Sequence, residues 1–469
     1  MSLQVICHCE PLEEAKQSYR DCHERLRRSR NDTSCRIASG YALAMTIINM
    51  TKFKTAIIIL GDITILYLSL ILTLIIRYGQ DSFKEPLAAH LKPFSLIFLV
   101  WILIFYLFDL YKDRQFRISF ETIRILILAI STSVIASVIF FYLFPSLFKL
   151  TPKTNLAIFA LIFGISDILW RFILIKIYVS GGFKNRLQII GDSPIINEIV
   201  DYLKNNPQLG YDLKNNQADT IVIQSHLKKN PEFIKTIYQL LPKKIAVIDL
   251  ITFYETIFQK VPLEELEEGW FIEKITTYRN FYDAAKRTID FCLALFLNII
   301  FLPLILIIAL LIKSTSKGPI IFKQERTGVD NKPFILFKFR TMKINEPGPL
   351  WTDKNDKRLT RIGKILRYTH LDELPQVYNI FKGEMSFIGP RAERKELTEL
   401  YSQIPYYEIR HIIKPGLTGW AQVNYKPSAS VKEAAEKLQY DIYYIKNRSL
   451  ILDFLILLKT IKYLFVSLK

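Results

Sequence analysis

Cysteine is scarce in this sequence and badly placed for cross-linking. Of the 5 cysteines in 469 residues, four fall within the first 35 residues and the fifth, Cys292, lies in an apolar run. The N-terminal four are Cys7, Cys9, Cys22 and Cys35. They form no paired C-x-x-C units, so we predict neither a disulfide framework nor a structural zinc site.

Glycine-rich phosphate loops are missing as well. Gly191 follows a strand-like run, but it stands without the second and third glycines that let a backbone turn approach a pyrophosphate. Zinc-finger and RNA-recognition patterns are also absent. The sequence therefore disfavours dinucleotide binding and nucleic-acid binding.

Acidic residues are a minority among the charged ones. The 62 Lys and Arg against 44 Asp and Glu give a net charge of +18. Hydrophobic residues make up 50% of the chain, and the mean hydropathy of +0.19 is high for a soluble protein. This balance indicates a membrane protein whose partners are the lipid bilayer and phosphate groups, with no nucleic acid among them.

The N-terminal segment shows no apolar periodicity. Residues 1–50 are polar at first and mixed in charge, and no short apolar core of a secretory signal follows their charges. We predict that residues 1–50 form a disordered N-terminal extension, and a start at Met45 or Met50 remains an alternative.

Four long apolar stretches follow within residues 51–180. They cover residues 56–76, 94–110, 125–144 and 156–178. Each is close to the ~20 residues that a helix needs to cross a bilayer, so we predict four transmembrane helices. Basic residues between the second and third stretch place that loop, and both ends of the module, on the cytoplasmic side. Asp62, Asp167 and Arg171 fall in or near these stretches, and we expect them to pair between helices.

The composition becomes that of a soluble domain over residues 185–275. Strand-like runs at 187–191, 219–223 and 244–249 alternate with helix-like segments. This alternation predicts a small doubly wound α/β domain, of degenerate nucleotide-binding type. Because Gly191 lacks its partner glycines, we expect a structural or regulatory role for this domain.

A fifth apolar run, residues 289–312, carries Pro303 near its middle. Basic residues flank both of its ends, which favours a cytoplasmic position for both. Proline removes a backbone donor and bends a helix. We therefore predict a re-entrant membrane helix broken at Pro303, with a kinked transmembrane helix as the alternative. The final apolar stretch, residues 450–468, contains charged residues and fits an interfacial or core-packed helix.

Short clusters of basic, acidic, glycine and proline residues recur after the fifth apolar run. They are Gln324-Glu-Arg-Thr-Gly328, Lys338-Phe-Arg-Thr-Met342, Leu371-Asp-Glu-Leu-Pro-Gln376, Phe387-Ile-Gly-Pro-Arg391 and Lys414-Pro-Gly-Leu-Thr-Gly-Trp-Ala-Gln-Val423. Arg and Lys orient phosphates, glycine turns admit phosphate oxygens, and adjacent carboxylates hold Mg²⁺ or act as nucleophiles. The set therefore predicts phosphate chemistry.

These motifs give a specific resemblance. The region of residues 282–469 resembles the sugar transferase domain of the bacterial polyprenyl-phosphate sugar-1-phosphate transferases, the monotopic phosphoglycosyl transferases. Four membrane helices followed by a degenerate nucleotide-fold domain resemble the long-form members. The resemblance implies a membrane protein of mixed structure, with a four-helix transmembrane module, a small α/β domain and a mainly α catalytic domain containing the re-entrant helix.

The resemblance also implies the reaction and its residues. Asp372 would attack the phosphorus that bears the sugar, forming a covalent phosphosugar, and polyprenyl phosphate would then attack this intermediate. Glu373 would bind Mg²⁺, and Pro303 matches the helix-breaking proline of the family. Four further residues match positions that are expected to hold substrate phosphates: Lys338, Arg340, Arg367 and Arg391. His370 and Ala392 replace the serine and proline that the family often has.

The implied partners and location follow from the same resemblance. They are a nucleotide-sugar, with UDP as the family expectation, and undecaprenyl phosphate. The protein would lie in the bacterial inner (cytoplasmic) membrane with its catalytic domain in the cytoplasm. The implied product begins an exopolysaccharide, capsule, O-antigen or glycoprotein glycan. The sugar and the oligomeric state, a homodimer included, stay open.

Two competing functions remain. A membrane-anchored nucleotide-sugar dehydratase or epimerase would need an intact glycine fingerprint and a Tyr-x-x-x-Lys pair. Tyr282 and Lys286 have that spacing, as do Tyr378 and Lys382, but the fingerprint is missing. A non-catalytic lipid-binding protein would not need an adjacent Asp-Glu pair among five phosphate-type clusters.

Overall fold

The computed structural model describes residues 33–111, 120–143, 153–180, 185–213, 218–240, 245–275, 279–343, 358–425 and 430–467. The chain divides into two compact units, Met1–Phe253 and Tyr254–Lys469. Residues 1–32, which hold most of the predicted N-terminal extension, lie outside the described residues.

Four long helices open the first unit. They are α1 (Thr33–Tyr78), α2 (Lys84–Leu107), α3 (Phe120–Leu143) and α4 (Lys153–Ser180). Each contains a segment long and apolar enough to cross a membrane. Aromatic side chains of α2 and α4 interlock in the core, where Trp101 packs on Phe159 and Phe163. The Trp101 indole donates a hydrogen bond to Ser137 Oγ at 2.8 Å.

Helix α1 begins earlier than the sequence pattern indicates. It starts at Thr33, so residues 33–50 of the predicted disordered extension are helical. This stretch contains neither proline nor a turn signal, apart from Gly40, and helix formers such as Ala42, Leu43 and Ala44 connect it directly to the first apolar run. Helix propagation from a long apolar segment explains the difference.

Three charged residues of the long apolar helices pair with one another. Arg171 Nε lies 2.8 Å from Asp167 Oδ2, and Arg171 Nη2 lies 2.9 Å from Asp62 Oδ2. Arg171 Nη1 also donates to the backbone oxygen of Leu110. The guanidinium thus links α1, α4 and the end of α2, as expected for helix pairing.

A four-stranded parallel sheet follows in the same unit. Its strands are β1 (Asn185–Ile190), β2 (Tyr211–Leu213), β3 (Thr220–Ile223) and β4 (Ala246–Asp249), in the order β2-β1-β3-β4. The helices of this region are α5 (Pro194–Asn205), α6 (Pro231–Leu240) and α7 (Leu250–Phe258). Gln224 Oε1 accepts a hydrogen bond from the Asp192 backbone, and a Cβ on Gly191 would lie 2.6 Å from this oxygen. A side chain therefore fills the turn that a nucleotide-binding fold leaves open for phosphate.

The segment before the fifth apolar run belongs to the second unit. The sequence pattern places the end of the α/β domain at residue 275, and the boundary between the two compact units falls after Phe253. The segment 254–275, which includes α8 (Glu268–Lys274), binds the C-terminal helices: Glu255 pairs with Lys446, and the Trp420 indole donates to the Gln259 carbonyl. Composition alone did not reveal these contacts because they join residues far apart in sequence.

Helix α9 (Asn280–Thr315) contains the fifth apolar run and is also long enough to cross a membrane. Pro303 lies inside this helix. The structure therefore has one continuous helix that contains Pro303, where the sequence predicts two helical segments separated by a break. Near its start, Arg287 donates to the carbonyls of Ile380 and Phe381. Beyond its end, Arg340 donates to the carbonyls of Ser316 and Lys317.

The remaining elements surround the catalytic motifs. Strands β5 (Ile321–Thr327) and β6 (Pro333–Phe339) pair in antiparallel fashion, and β7 (Ser386–Ile388) pairs in parallel with β8 (Gly416–Thr418). The helices are α10 (Arg361–Tyr368), α11 (Gln376–Lys382), α12 (Lys395–Tyr401), α13 (Trp420–Asn424), α14 (Val431–Asn447) and α15 (Leu450–Ser467). Helix α15 buries Ile456 and exposes Ile451 and Phe454, as an amphipathic core-packed helix does.

Candidate active site

A small cavity of about 40 Å³ brings together residues of several of the sequence clusters. The residues that line it are Arg326, Leu336, Lys338, Asp372, Glu373, Gln376, Met385, Arg391, Ala392 and Gly416. Their positions in the chain span ninety residues, yet two adjacent carboxylates and three cations meet there. The structure thus joins residues of the sequence clusters through strands β5, β6 and β8 and the loops after α10 and β7.

Asp372 lies in a tight turn between two helices. Helix α10 begins at Arg361 and is capped by Thr360, whose Oγ1 accepts a hydrogen bond from Gly363 N at 2.9 Å. It is followed by His370 in the left-handed conformation, with φ of 57°. A single 3₁₀ turn, Leu371–Glu373, then leads into α11. The reversal at His370 directs the buried Asp372 carboxylate into the cavity, and such backbone strain is common at functional sites.

The environment of Asp372 makes its charge costly. Burial raises the pKa of this carboxyl to about 6, and the adjacent Glu373 adds to the rise, while Lys338 and Arg367 oppose it. Asp372 is therefore ionised at neutral pH, but it holds its charge in a poorly solvated position. A carboxylate with these properties is suited to act as a nucleophile.

The cations of the cavity repel one another. Burial lowers the pKa of Lys338 to about 8, and repulsion from Arg326 and Arg367 contributes. Burial, together with repulsion from Arg391, lowers the pKa of Arg326 to about 10. A bound phosphate would relieve this repulsion, so the cluster has the electrostatic character of an anion site.

Glu373 and Arg391 form an ion pair at the edge of the cavity. Arg391 Nη2 lies 3.3 Å from Glu373 Oε1, and this carboxylate raises the pKa of Arg391. The backbone oxygen of Arg391 accepts a hydrogen bond from Arg410, which also pairs with Asp441 at 3.1 Å. A buried charge network thus fixes the loop that carries Arg391.

Glu393 belongs to the same network. Burial acts to raise the pKa of Glu393, but Lys437 and Arg410 outweigh it and hold the pKa below its usual range. The Lys437 ammonium lies 3.4 Å from Glu393 Oε1. Glu393 is therefore an ionised, paired group behind Arg391.

Arg340 is not among the residues that line the small cavity. The family resemblance implies that it holds a substrate phosphate. Strand β6 ends at Phe339, and the Arg340 guanidinium binds the carbonyls of Ser316 and Lys317 at 2.9 Å each. Arg340 is thus a structural clamp after α9, and the structure does not bring it to the cavity.

The other predicted residues divide between the cavity and its surroundings. Arg367 does not line the small cavity, and its Nε donates to Thr341 Oγ1 at 3.1 Å. Its positive charge nevertheless lowers the pKa of both Asp372 and Lys338. Pro303 lies in α9. Tyr282 and Lys286 both bind Asp453 Oδ2, at 2.9 and 2.7 Å, so this Tyr-x-x-x-Lys pair is engaged in a structural contact.

Two polar residues of the cavity, Arg326 and Gln376, have no role assigned from the sequence. Arg326 belongs to the Gln324–Gly328 cluster, and Gln376 is the last residue of the Leu371–Gln376 cluster. Arg326 Nη1 donates to the Ala392 carbonyl at 2.9 Å, which orients it beside Arg391. The density of charged residues in the cluster was the available signal, but it does not say which arginine turns inward.

The carboxylates of the cavity fit a magnesium ion that is shared with a substrate. Among the described residues, no group of three or more His, Cys, Asp and Glu side chains is placed to hold a metal. Asp372 and Glu373 supply two carboxylates, the hard oxygen ligands that Mg²⁺ takes in small number when substrate phosphates complete its shell. The donor set therefore suits a substrate-dependent Mg²⁺ site and not an all-protein one.

A larger cavity of about 470 Å³ adjoins the small one. Glu373 and Arg391 line both. The other residues lining the large cavity are His370, Leu374, Val377, Phe387, Glu393, Leu397, Tyr401, Leu417, Thr418, Gln422, Val423, Tyr425, Lys437, Leu457 and Thr460. Its volume lies within the ~300–1,000 Å³ typical of small-molecule sites.

Comparison with known proteins gives a consistent group of relatives. Residues 281–467 match the family model of the bacterial sugar transferases. The chain is 39% identical over 221 residues to the UDP-N-acetylgalactosamine-undecaprenyl-phosphate N-acetylgalactosaminephosphotransferase of Aeromonas hydrophila, covering 46% of this chain and 52% of the relative. It is 34% identical over 273 residues to the UDP-glucose:undecaprenyl-phosphate glucose-1-phosphate transferase of Escherichia coli (strain K12), covering 56% of this chain and 58% of the relative.

The coverage differs among the relatives. The chain spans about half the length of the first curated relatives that it matches. A shorter relative, the exopolysaccharide production protein PSS of Rhizobium leguminosarum bv. phaseoli, is 39% identical over 185 residues, which are 38% of this chain and 92% of that protein. The matched region of this chain therefore corresponds to nearly the whole length of that shorter relative.

Proposed function

Because the chain belongs to the bacterial sugar transferase family, we propose that it transfers a sugar 1-phosphate from a nucleoside-diphosphate sugar to polyprenyl phosphate. The names of the relatives favour a UDP-sugar as donor and undecaprenyl phosphate as acceptor. The product would be the first lipid-linked sugar of a glycan, such as an exopolysaccharide.

The observation that carries this proposal is the small cavity itself. It places a buried carboxylate of raised pKa, Asp372, among cations that repel one another in the absence of an anion. Lys338, Arg326 and Arg391 would hold the diphosphate of the donor. The phosphorus that bears the sugar would then face the Asp372 carboxylate.

The chemistry proceeds in two balanced displacements. In the first, an Asp372 carboxylate oxygen forms a bond to the phosphorus that bears the sugar, and the bond from that phosphorus to the nucleoside monophosphate oxygen breaks. In the second, a polyprenyl phosphate oxygen attacks the same phosphorus and restores the free carboxylate. Lys338, Arg326 and Arg391 bind the phosphate oxygens in both steps.

Magnesium enters this proposal through Glu373. When bound, the ion would offset phosphate charge and the repulsion between the adjacent carboxylates. Glu373 would hold it, while its contact with Arg391 keeps the carboxylate oriented toward both cavities.

A transferase assay with a panel of nucleotide-sugars tests the proposed reaction and identifies the donor sugar. Purified protein in detergent or nanodiscs, given Mg²⁺, polyprenyl phosphate and a panel of nucleotide-sugars, should release nucleoside monophosphate and form a lipid-linked diphosphate sugar with at least one donor. Release of nucleoside diphosphate, or modification of the sugar without lipid-linked product, would contradict the proposal.

The membrane arrangement proposed for α9 has both ends on the cytoplasmic side of the inner membrane, with the catalytic unit. Both ends bind the same unit, through Arg287 at one end and through Arg340 at the other. Between these ends, apolar side chains such as Phe296, Ile299 and Leu310 are exposed, as lipid-facing residues are. A return to the same face requires a bend, which Pro303 would supply.

Labelling of single cysteines tests this arrangement. In a variant without the native cysteines, Phe281→Cys and Lys317→Cys should both react with a membrane-impermeant maleimide from the cytoplasmic side only, because these positions flank the apolar segment. Right-side-out and inside-out vesicles give the comparison. Reaction of the Lys317→Cys variant from the periplasmic side would establish a membrane span instead.

The pH profile of kcat/KM should be bell-shaped. The rate should fall as the pH drops below about 6, because Asp372 becomes protonated and loses its nucleophilic charge. It should also fall above about pH 8, because Lys338 loses its proton. Nucleoside monophosphate release measured across the acid and alkaline ranges checks both limbs, and a flat profile across pH 6 would contradict the role of Asp372.

Replacing Glu373 with glutamine should weaken the use of magnesium. We expect kcat to fall about 10²-fold, with a higher Mg²⁺ concentration needed for half-maximal rate, because one anionic ligand is lost. Glu325→Gln, on β5, is a matched control. A Glu373→Gln enzyme with a normal Mg²⁺ titration would show that Glu373 only anchors Arg391.

A further inference from the structure

The large cavity has one charged end and a mostly apolar body. Glu373 and Arg391 mark the end that it shares with the small cavity, where the phosphates would bind. Away from that end, apolar side chains from four elements form the walls: Val377 on α11, Leu397 on α12, Val423 on α13 and Leu457 on α15.

Several polar groups along these walls are already engaged within the protein. Thr418 and Thr460 share a hydrogen bond of 2.7 Å between their hydroxyls, and Lys437 pairs with Glu393. Gln422 Nε2 donates to the Leu417 carbonyl, while Gln422 Oε1 is a buried acceptor without a hydrogen-bond partner among the described residues. The mostly apolar lining favours hydrocarbon over a nucleoside or a sugar as the occupant of the body, because a polar occupant would lose more hydrogen bonds to water than these walls replace.

The walls are continuous with the lipid-facing helix. Val423 and Leu457 belong to one hydrophobic cluster with Leu293 and Leu297 of α9. Leu374, which also lines the cavity, packs in a second cluster with Leu304 and Ile308 of the same helix. Both halves of α9 thus pack in the same hydrophobic clusters as residues that line the cavity, and the neighbouring α9 residues Phe296, Ile299 and Ile300 are exposed.

We propose that the large cavity binds the isoprene units next to the phosphate of the acceptor lipid. The site would draw the end of a polyprenyl chain out of the bilayer and place its phosphate beside Glu373, Arg391 and Asp372. This inference rests on the proposed function, and it assigns the cavity to the second displacement only. The donor would then bind without occupying this cavity.

Measuring the two displacements separately distinguishes the possible occupants of the large cavity. Without lipid acceptor, release of one nucleoside monophosphate per enzyme measures the first displacement, and its amplitude counts the active molecules. With acceptor, formation of lipid-linked product measures the second. Leu457→Trp fills the cavity, and Val423→Phe fills it from a different wall. Ile451→Trp, on the exposed face of the same helix α15, is the matched control.

Both cavity-filling variants should leave the rate of the first displacement per active enzyme within about twofold of wild type. Their kcat/KM for polyprenyl phosphate should fall by at least about tenfold, the scale on which a pocket rejects a misfit of a few methylene groups. Ile451→Trp should behave as wild type in both steps. Because the first step counts active enzyme, loss of folded protein cannot produce this pattern.

The remaining outcomes overturn the proposal. Slowing of the first displacement to the same degree would assign the cavity to the nucleotide-sugar. Unchanged kinetics in both steps would show that the cavity holds no substrate. Absence of nucleoside monophosphate release by wild-type enzyme with every donor would contradict the proposed function itself, and with it the inference.

Discussion

Replacing Asp372 with asparagine is expected to abolish turnover while making the protein more stable. The loss in kcat should be at least about 10³-fold, because the amide cannot form the bond to phosphorus and loss of a nucleophile has effects of this size or larger. Binding of the nucleotide-sugar should persist, since Lys338, Arg326 and Arg391 remain. Product formation and equilibrium binding of donor measure the two quantities.

The stability of this variant follows from the sign of the pKa shift. The folded state raises the pKa of Asp372 from 3.8 to about 6, so ionisation above pH 6 costs the folded protein free energy that the unfolded chain does not lose. A shift of about two units corresponds to about 3 kcal/mol, and a neutral amide removes this cost. We expect the free energy of unfolding of Asp372→Asn at about pH 7.5 to rise by about 1–3 kcal/mol, and the gain to vanish near about pH 4.

Asp330→Asn, at an exposed position of the same unit, is the matched control and should change neither quantity. If Asp372 were a structural residue, its replacement would lower stability and leave the folded fraction active. Denaturant unfolding in detergent at about pH 4 and about pH 7.5, combined with specific activity, distinguishes the two roles.

Replacing Lys338 with methionine should have the next largest effect. We expect kcat/KM to fall about 10²–10³-fold, because a buried positive charge that would stabilise the transferring phosphate is removed. Lys338 also lowers the pKa of Asp372, so the acid limb of the pH profile should move above pH 6 in this variant. The same profile should lose its alkaline limb, since no lysine remains to titrate.

Lys338→Arg separates charge from geometry. It keeps the positive charge at all accessible pH values, so the alkaline limb should disappear while the acid limb stays near about pH 6. Lys323→Met, on the facing strand β5, is exposed and should act as wild type. An unchanged pH profile in Lys338→Met would show that Lys338 is not electrostatically coupled to the nucleophile.

The sequence predicts much of the candidate site because short motifs keep their residues close together in space. Asp372 and Glu373 are adjacent in the chain, and the cavity around them is completed by a few basic residues from other motifs. Arg391 and Lys338 both reach the cavity. Family membership is confirmed by the match over residues 281–467 together with a 39% identical relative of which the chain covers 92%.

Arg340 and Arg326 show what local spacing leaves undetermined. Arg340 lies two positions after Lys338, but strand β6 ends at Phe339 and the Arg340 guanidinium binds the carbonyls of Ser316 and Lys317. Nothing in the cluster of Arg326 distinguishes an arginine that lines a cavity from a solvated one. Local spacing carries no information on where a strand ends or which distant carbonyl will bind a guanidinium.

The fold was predictable to a similar degree. Apolar length predicts the four long helices of the first unit and the fifth in the second, and the described part of the chain contains five such segments. The start of α1 at Thr33 and the packing of residues 254–275 with the second unit were not predictable. The first depends on helix propagation from a neighbouring segment, and the second depends on ion pairs such as Glu255 with Lys446.

The most direct test of covalent catalysis by Asp372 is the mass of the intact protein after incubation with a UDP-sugar and Mg²⁺ in the absence of lipid acceptor. We expect an increase equal to one sugar phosphate, accompanied by release of one equivalent of nucleoside monophosphate. Adding polyprenyl phosphate should reverse the increase, and Asp372→Asn should not show it. Rapid formation of lipid-linked product by an enzyme whose mass never changes, or an adduct that persists in Asp372→Asn, would contradict it.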